Sequence, residues 1–261
     1  IHCLNLEDKS VRSFHFDEPV VALSLTDVEG QFLVALGSKL ILWNSDTDSR
    51  LGLDVTLPGI PEVRFNDGRS DPLGDFWIGS MSNNVGPNGE NLDIVSGLGK
   101  LYRYRYGGEL EEIEDRIGIS NTLCWNIEKT IFYFGDTLKN EIRAYDYDSK
   151  TGSISNGRPF FTGFERGLPD GSTIDIDGYL WNCRYGGACV VRVAPNGEID
   201  CVIEMPVKNI TTCAFGGADA STLFVTTASA QKDERDRLAG SLFSIQTDTA
   251  GLPENKFITA F

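Results

Sequence analysis

Histidine is nearly absent from this chain, and its absence argues against several kinds of catalysis. The 261 residues include only two histidines, His2 and His15, both in short strand-like segments near the start. A Ser-His-Asp triad or a histidine-based zinc site needs a histidine near a matching Ser, Cys or second His. Neither histidine has such a context, so we interpret both as structural and do not expect histidine chemistry.

Positive charge and long apolar segments are also scarce. The chain has 23 Lys and Arg against 38 Asp and Glu, a formal net charge of −15. Nucleic-acid-binding surfaces depend on clustered Lys and Arg, so we expect no nucleic-acid partner. No apolar run approaches the ~20 residues of a membrane span, so we expect no membrane partner. We interpret the acidity mainly as a solubility feature, with a field that draws cations to a metal site as the alternative.

The six cysteines lack any C-x-x-C spacing. Cys183 and Cys189 could face each other in a hairpin, although sequence cannot show a bond. Their flanks in LWNCRYGGACVVRV are strand-like, which is typical of small buried thiols. We therefore interpret the cysteines as reduced and predict a cytoplasmic location.

Short β-rich segments bounded by Gly, Asp and Asn recur along the chain, and helical periodicity is nearly absent. Five anchor positions are separated by 43, 55, 49 and 43 residues, namely Leu33, Phe76, Ile131, Leu180 and Leu223. Periods of roughly 40–50 residues with several strands each predict propeller blades. No linker divides the chain, so the sequence predicts an all-β protein in which residues 1–261 form a single β-propeller domain of five or six blades.

Three of the repeats carry a polar residue at the same place. Asn66, Asn121 and Asp170 each precede an apolar pair by ten positions. Equivalent positions of propeller blades surround one channel, so these oxygen donors are predicted to converge as a hard divalent cation requires. Each residue alone would be an ordinary turn former. Arg64, two positions before Asn66, is a candidate for binding ligand oxygens.

The same segments carry a family resemblance. Residues 64–81, RFNDGRSDPLGDFWIGSM, resemble the signature RFNDGxxDPxGRFWxGTM of the family of senescence marker protein (regucalcin), gluconolactonase and luciferin-regenerating enzyme. ISNTLCWNIEKTIFYFGDT resembles that family's SNGLxWSPDxxxxYxxDS, and LPDGSTIDIDGYLWNCRYGG resembles its PDGxxxDxxGxLWxAxxxG. The likeness covers most of the chain from about residue 20.

The resemblance implies a six-bladed β-propeller, with the first blade incomplete in this chain, and one divalent metal ion in its channel. Asn121 and Asp170 would be metal ligands, and Asp170 would also be the candidate catalytic base or water-orienting group. Arg64 and Asn66 would bind the substrate. Oxygen ligands suit Ca²⁺, Mg²⁺ or Mn²⁺ better than Zn²⁺, and we favour Ca²⁺. The implied activity is metal-dependent hydrolysis of a small-molecule sugar lactone by a monomer or weak homo-oligomer.

Two departures from the family pattern affect the predicted site. The family's remaining metal ligand is a Glu in a Gly-Glu-(Gly/Ser)-Pro motif that falls before the first residues of this chain. Either residues precede those given or this ligand is absent, and we expect the former. After the position of Met81 the family often has a carboxylate that helps to bind substrate. This chain has SNNVGPNGE there, and Asn84 could serve as a neutral hydrogen-bonding partner.

Two other functions fit the same sequence. One is a calcium-binding regulator or propeller scaffold without turnover, and the other is a phosphotriester hydrolase that uses the same ion. A scaffold should expose an apolar or charged patch. The charged stretch 231–240 is the local candidate for such a patch, and we interpret it as a solvated loop or short helix.

Overall fold

Antiparallel strands account for nearly all of the regular structure. The structure is a computed structural model that describes residues 1–229 and 237–260. Within those ranges the helical structure is one 3₁₀ helix, Thr137–Lys139, and no helix is long and apolar enough to cross a membrane. The chain divides into two compact units, an N-terminal unit of Ile1–Ile117 with Glu254–Phe261 and a C-terminal unit of Gly118–Pro253.

The N-terminal unit contains one two-stranded sheet and two four-stranded sheets, in which neighbouring strands are consecutive and antiparallel. The two-stranded sheet pairs β1 (His2–Leu4) with β2 (Val11–Ser13). The next sheet comprises β3 (Val20–Leu25), β4 (Gln31–Leu36), β5 (Lys39–Asn44) and β6 (Arg50–Thr56). The last comprises β7 (Val63–Ser70), β8 (Phe76–Ser82), β9 (Gly99–Tyr104) and β10 (Leu110–Ile117).

The C-terminal unit repeats this arrangement in three sheets. The first comprises β11 (Ser120–Trp125), β12 (Ile131–Asp136), β13 (Glu141–Tyr147) and β14 (Ile154–Thr162). The second comprises β15 (Leu168–Ile174), β16 (Leu180–Tyr185), β17 (Cys189–Val193) and β18 (Ile199–Glu204). The third has three strands among the described residues: β19 (Ile210–Gly216), β20 (Thr222–Thr227) and β21 (Leu242–Gln246).

Successive sheets of consecutive antiparallel strands are the blades of a β-propeller. The predicted anchors all lie in the second strand of a blade, in β4, β8, β12, β16 and β20. The prediction of six blades is wrong for the described residues, which form five. Only β1 and β2 precede β3, and because they pair with each other they make a two-stranded sheet rather than a blade. That residues 1–261 form a single domain stays a prediction.

A buried aspartate organises the turn between the first and second strands in two of the blades. Its Oδ1 accepts hydrogen bonds from the backbone N–H groups two and four residues later, and its Oδ2 accepts one from an indole Nε1 six residues later. The two copies are Asp71 with Trp77 and Asp175 with Trp181. The D-x-x-G-x-x-W pattern therefore recurs because one carboxylate satisfies the amides of the turn and fixes a buried side chain.

Apolar side chains of facing sheets form the cores within each unit. In the N-terminal unit Leu33, Phe65 and Ile78 pack in one core with Phe257 from the C-terminal segment. In the C-terminal unit one core contains residues of β12 and β16, and a second contains residues of β16 and β20. Full burial of each large apolar side chain contributes roughly 1.5–3 kcal/mol. Inner strands such as β8 are buried along their whole length, because both faces of the sheet are covered.

The six cysteines are free thiols, in line with their interpretation as reduced residues. Cys183 lies opposite Val190 in the β16–β17 ladder and Cys189 lies opposite Arg184, so the two thiols do not face each other across the hairpin. The cytoplasmic location stays a prediction. Residues 231–236 of the charged stretch lie outside the described residues.

Candidate functional site

The first strand of every blade contains a β-bulge. The register of its pairing with the second strand shifts in β3, β7, β11, β15 and β19. Asn66 and Asp170 lie inside the shifted segments of β7 and β15, and Asn121 borders the shift in β11. A bulge leaves a residue out of the ladder and redirects its side chain, and bulges are common beside active sites. The three predicted residues thus all lie at the bulge of a first strand, with Asn121 one residue earlier in the register than Asn66 and Asp170.

Arg64 and Asn66 are brought together in the N-terminal unit. Nη1 of Arg64 donates to Oδ1 of Asn66 at 2.8 Å and to the carbonyl of Phe65 at 2.9 Å. Nε of Arg64 donates to Oδ1 of Asn84 at 2.9 Å. That Asn84 hydrogen-bonds to the substrate stays a prediction. All three polar side chains belong to half-buried residues. These bonds orient the guanidinium before any ligand binds.

In the C-terminal unit, Asn121 is held by its amide nitrogen. The residue is buried, and Nδ2 donates to Oγ1 of Thr137 at 2.8 Å. The Thr137 hydroxyl in turn donates to the carbonyl of Pro169 at 2.7 Å. The first bond fixes the orientation of the amide, so that Oδ1 is the atom that Asn121 can offer to a cation. The second connects the 3₁₀ helix to β15, one residue before Asp170.

The backbone of Asp170 is anchored by a buried polar network. The Thr122 hydroxyl donates to the Asp170 carbonyl at 2.6 Å and lies 2.9 Å from the Ser172 hydroxyl. Nδ2 of Asn182 donates to the Ser172 hydroxyl at 2.9 Å. Thr122, Ser172 and Asn182 are buried, whereas Asp170 is half-buried. Burial, and to a smaller extent the Asp170 charge, raises the pKa of the Tyr185 hydroxyl.

Arg184 is a cation buried beside this network, with 1% of its surface exposed. Its guanidinium donates to Oδ1 of Asn140 at 2.6 Å, to Oδ1 of Asn182 at 3.2 Å and to three carbonyls of residues 164–167 at 2.7–3.1 Å. These five acceptors are all neutral oxygens. Because no carboxylate is among them, burial lowers the pKa of Arg184 to about 10.

Two hydrogen-bond routes lead from Arg184 to the predicted metal ligands. The first passes through Asn182 and the Ser172 and Thr122 hydroxyls to the backbone of Asp170. The second passes through Asn140, which follows the 3₁₀ helix whose first residue binds Asn121. Arg184 is therefore connected by hydrogen bonds to the segments that carry both predicted ligands, although it is next to neither in sequence.

Thr122 has a backbone conformation that is unusual for its residue type. Its φ is +55°, in the left-handed region that β-branched residues rarely adopt. A non-glycine residue there costs roughly 1–2 kcal/mol. The related family segment SNGLxW has Gly at this position, so the structure explains that Gly as a requirement of the bulge. The threonine of this chain adds the hydroxyl that binds the Asp170 carbonyl.

The donor set suits a hard cation. Among residues 1–229 and 237–260, no three His, Cys, Asp or Glu side chains cluster closely enough to hold a metal ion. Asn121 supplies an amide oxygen and Asp170 a carboxylate, on first strands joined by the Thr122 hydrogen bond. Oxygen donors of this kind fit Ca²⁺, Mg²⁺ or Mn²⁺. Two such side chains make a partial ligand set, completed in proteins by carbonyls, waters or another carboxylate.

Residues 1–229 match the model of the SMP-30/Gluconolactonase/LRE-like region. The chain belongs to this family. A relative from Bacillus subtilis (strain 168), named "Putative sugar lactone lactonase YvrE", is 36% identical over 259 residues, which are 96% of this chain and 85% of the relative. Regucalcin from Sus scrofa is 33% identical over 256 residues, 95% of this chain and 84% of that protein.

A solved structure shares the fold over nearly the whole chain. The crystal structure of a calcium-binding protein, regucalcin, from Agrobacterium tumefaciens str. C58 is 29% identical, with a TM-score of 0.88, over 98% of this chain and 85% of that one. These comparisons confirm the family and the lactonase-type relationship inferred from the three sequence motifs.

The sequence analysis identified the candidate metal ligands but not the buried residues that hydrogen-bond to their segments. Arg64 and Asn66 lie together in one unit, and Asn121 and Asp170 lie on neighbouring strands of the other. That the two pairs form one site stays a prediction. Arg184 was overlooked, although a charged residue inside the apolar strand LWNCRY is a detectable signal of a buried polar network.

Proposed function

We propose that this protein is a divalent-metal-dependent hydrolase of sugar lactones. The observation that carries the proposal is the anchoring of Asn121 and Asp170 on adjacent bulged strands by buried hydrogen bonds, in a chain of the gluconolactonase family. Catalytic and metal-binding groups need this kind of support, because small displacements of a ligand weaken both binding and turnover.

The proposed roles follow from the chemistry of each side chain. Asn121 and Asp170 hold the ion, which when bound supplies Lewis-acid polarisation of the lactone carbonyl. Asp170 also orients the attacking water and accepts its proton. Arg64 and Asn66 bind oxygens of the sugar, and their mutual hydrogen bond gives them a fixed geometry for doing so.

Replacement of Asp170 tests the proposal. We expect Asp170→Ala to abolish both Ca²⁺ binding, measured by calorimetry, and hydrolysis of D-glucono-δ-lactone, measured by acid release. Asp177→Asn is the matched control, because Asp177 lies on the turn of the same blade with 55% of its side chain exposed. Wild-type activity of Asp170→Ala at saturating metal would refute the assignment of Asp170. A chromogenic phosphotriester assayed in parallel separates the two hydrolase activities.

A calcium-binding protein without turnover is the second candidate. The observation that favours it is the likeness to the Agrobacterium structure, which is described as a calcium-binding protein. This alternative predicts Ca²⁺ binding that depends on Asp170, with no hydrolysis of any aldonolactone. Calcium preference, cytoplasmic location and a monomeric or weakly oligomeric state stay predictions.

A further inference from the structure

Beside Arg64 the N-terminal unit contains a cavity of about 300 Å³. It lies where β3 and β7 begin, bordered by the loops after β4 and β8. Much of its wall is apolar and comes from Pro19, Pro61, Val63 and Val85. Arg64 lines the same cavity, so whatever occupies it lies next to the group proposed to bind the substrate's oxygens.

The carboxylate in the cavity wall, that of Glu18, is already engaged by protein partners. Oε2 of Glu18 accepts hydrogen bonds from the Ser38 backbone N–H at 3.0 Å and from the Ser38 hydroxyl at 2.6 Å. Its Oε1 pairs with Nζ of Lys39 at 3.0 Å. These bonds satisfy the carboxylate, so it is poorly placed to recognise additional sugar hydroxyls.

The side chain of Asn83, a further polar residue of the wall, is also engaged through both its nitrogen and its oxygen. Its Nδ2 donates to the carbonyl of Pro61 at 3.0 Å, and its Oδ1 accepts from the backbone N–H of Val85 at 3.1 Å. The apolar wall, in contrast, is open to water: Ile60 is 44% exposed and Val85 is 37% exposed. An apolar group in the cavity would cover these side chains, and each buried methylene would strengthen binding about fourfold.

We propose that this cavity binds the alkyl substituent of a lactone whose oxygens are held by Arg64 and Asn66. The inferred substrates are therefore lactones that carry an alkyl substituent in addition to the oxygens that Arg64 and Asn66 bind. This inference rests on the proposed lactonase function and adds the part of the substrate that the polar residues do not recognise.

A chain-length series tests the inference with the whole protein. The substrates are δ-valerolactone, δ-hexalactone, δ-octalactone and δ-decalactone, with D-glucono-δ-lactone assayed in parallel. We expect kcat/KM to rise up to about fourfold per added methylene until the cavity is filled. Val85→Asn should flatten this rise and leave δ-valerolactone turnover unchanged. Val95→Asn is the matched control, because Val95 is a valine of the same loop with 54% exposure that does not line the cavity.

The outcomes separate the inference from the function on which it rests. If none of the lactones is hydrolysed at saturating metal, both the lactonase proposal and the inference are overturned. If the lactones are hydrolysed but kcat/KM is independent of chain length, the lactonase proposal stands and the inference is overturned. Equal flattening by Val85→Asn and Val95→Asn would also overturn it, since the effect would then not come from the cavity.

Discussion

Replacement of Arg184 by Met is the most informative perturbation of the buried network. Methionine keeps much of the length of the side chain and removes the charge and all five hydrogen bonds to Asn140, Asn182 and residues 164–167. Each buried acceptor left without a donor costs roughly 1–3 kcal/mol. The Phe164 carbonyl keeps a hydrogen bond from Nδ2 of Asn140, and Arg166 is exposed, so water can replace its lost donor. The acceptors of Asn140, Asn182 and Gly167 remain, and they set a gross cost of roughly 3–9 kcal/mol.

The removal of a buried charge works in the opposite direction. Burial lowers the pKa of Arg184 to about 10, which corresponds to roughly 3 kcal/mol of desolvation that methionine does not incur. The hydrogen bonds outweigh this gain, so we expect Arg184→Met to lose about 2–4 kcal/mol of unfolding free energy. That is a large share of the roughly 5–15 kcal/mol that holds a domain folded. Arg184→Lys should have an intermediate unfolding free energy, because lysine keeps the charge but not the planar guanidinium with its several donors.

The assay is equilibrium urea unfolding followed by tryptophan fluorescence, together with calorimetric titration of folded protein with Ca²⁺. The matched control is Arg166→Met, which breaks an exposed pair with Glu204 and should leave the unfolding free energy nearly unchanged. If Arg184→Met is as stable as the wild type, desolvation outweighs the hydrogen bonds and the reasoning is wrong. If it unfolds more easily but binds Ca²⁺ with unchanged affinity, Arg184 supports the fold and not the ligands.

Three further predictions follow from the described contacts. Thr122→Val should destabilise the protein by about 1–3 kcal/mol and weaken Ca²⁺ binding, because the Asp170 carbonyl loses a buried donor. Gly171→Ala should destabilise by about 2 kcal/mol or more in urea unfolding, since a Cβ there would clash with side-chain and backbone atoms of β19. Burial acts to raise the pKa of Glu18, but hydrogen bonds from its neighbours outweigh burial and lower it. The stabilisation from Glu18 should therefore be present above its unfolded pKa of about 4.5 and be lost as pH falls through its lower folded pKa.

Each of these predictions has a control. Thr122→Ser keeps the hydroxyl and should retain most of the stability; equal losses in the Ser and Val variants would point to packing instead. Gly89→Ala adds a methyl group where nothing lies within 4 Å, although its positive φ carries a smaller backbone penalty. For Glu18, the difference in Tm between the wild type and Glu18→Gln should shrink as the solution is acidified below pH 4.5, and a constant difference would contradict the assignment.

Much of the fold was predictable because its signals are local. The D-x-x-G-x-x-W turns at Asp71 and Asp175 are each closed by one side chain within seven residues, so they recur visibly in the sequence. The spacing of the anchors located the second strand of every blade. The number of blades was harder to predict from the sequence, because it depends on which strands pair. β1 and β2 have strand-like sequences, but they pair with each other and not within a blade.

The candidate site, like the fold, was predictable from the sequence only in part. The sequence alone determined the family, the repeated strand unit and the polar positions Asn66, Asn121 and Asp170, because each lies in a short segment with a fixed offset. Only the tertiary structure showed that a buried arginine is linked by hydrogen bonds to the segments that carry Asn121 and Asp170. The Arg184 hydrogen bond to Asn140 spans 44 residues, and the Thr122 bond to the Asp170 carbonyl spans 48. Such contacts depend on how neighbouring sheets pack, and no periodicity within one strand encodes them.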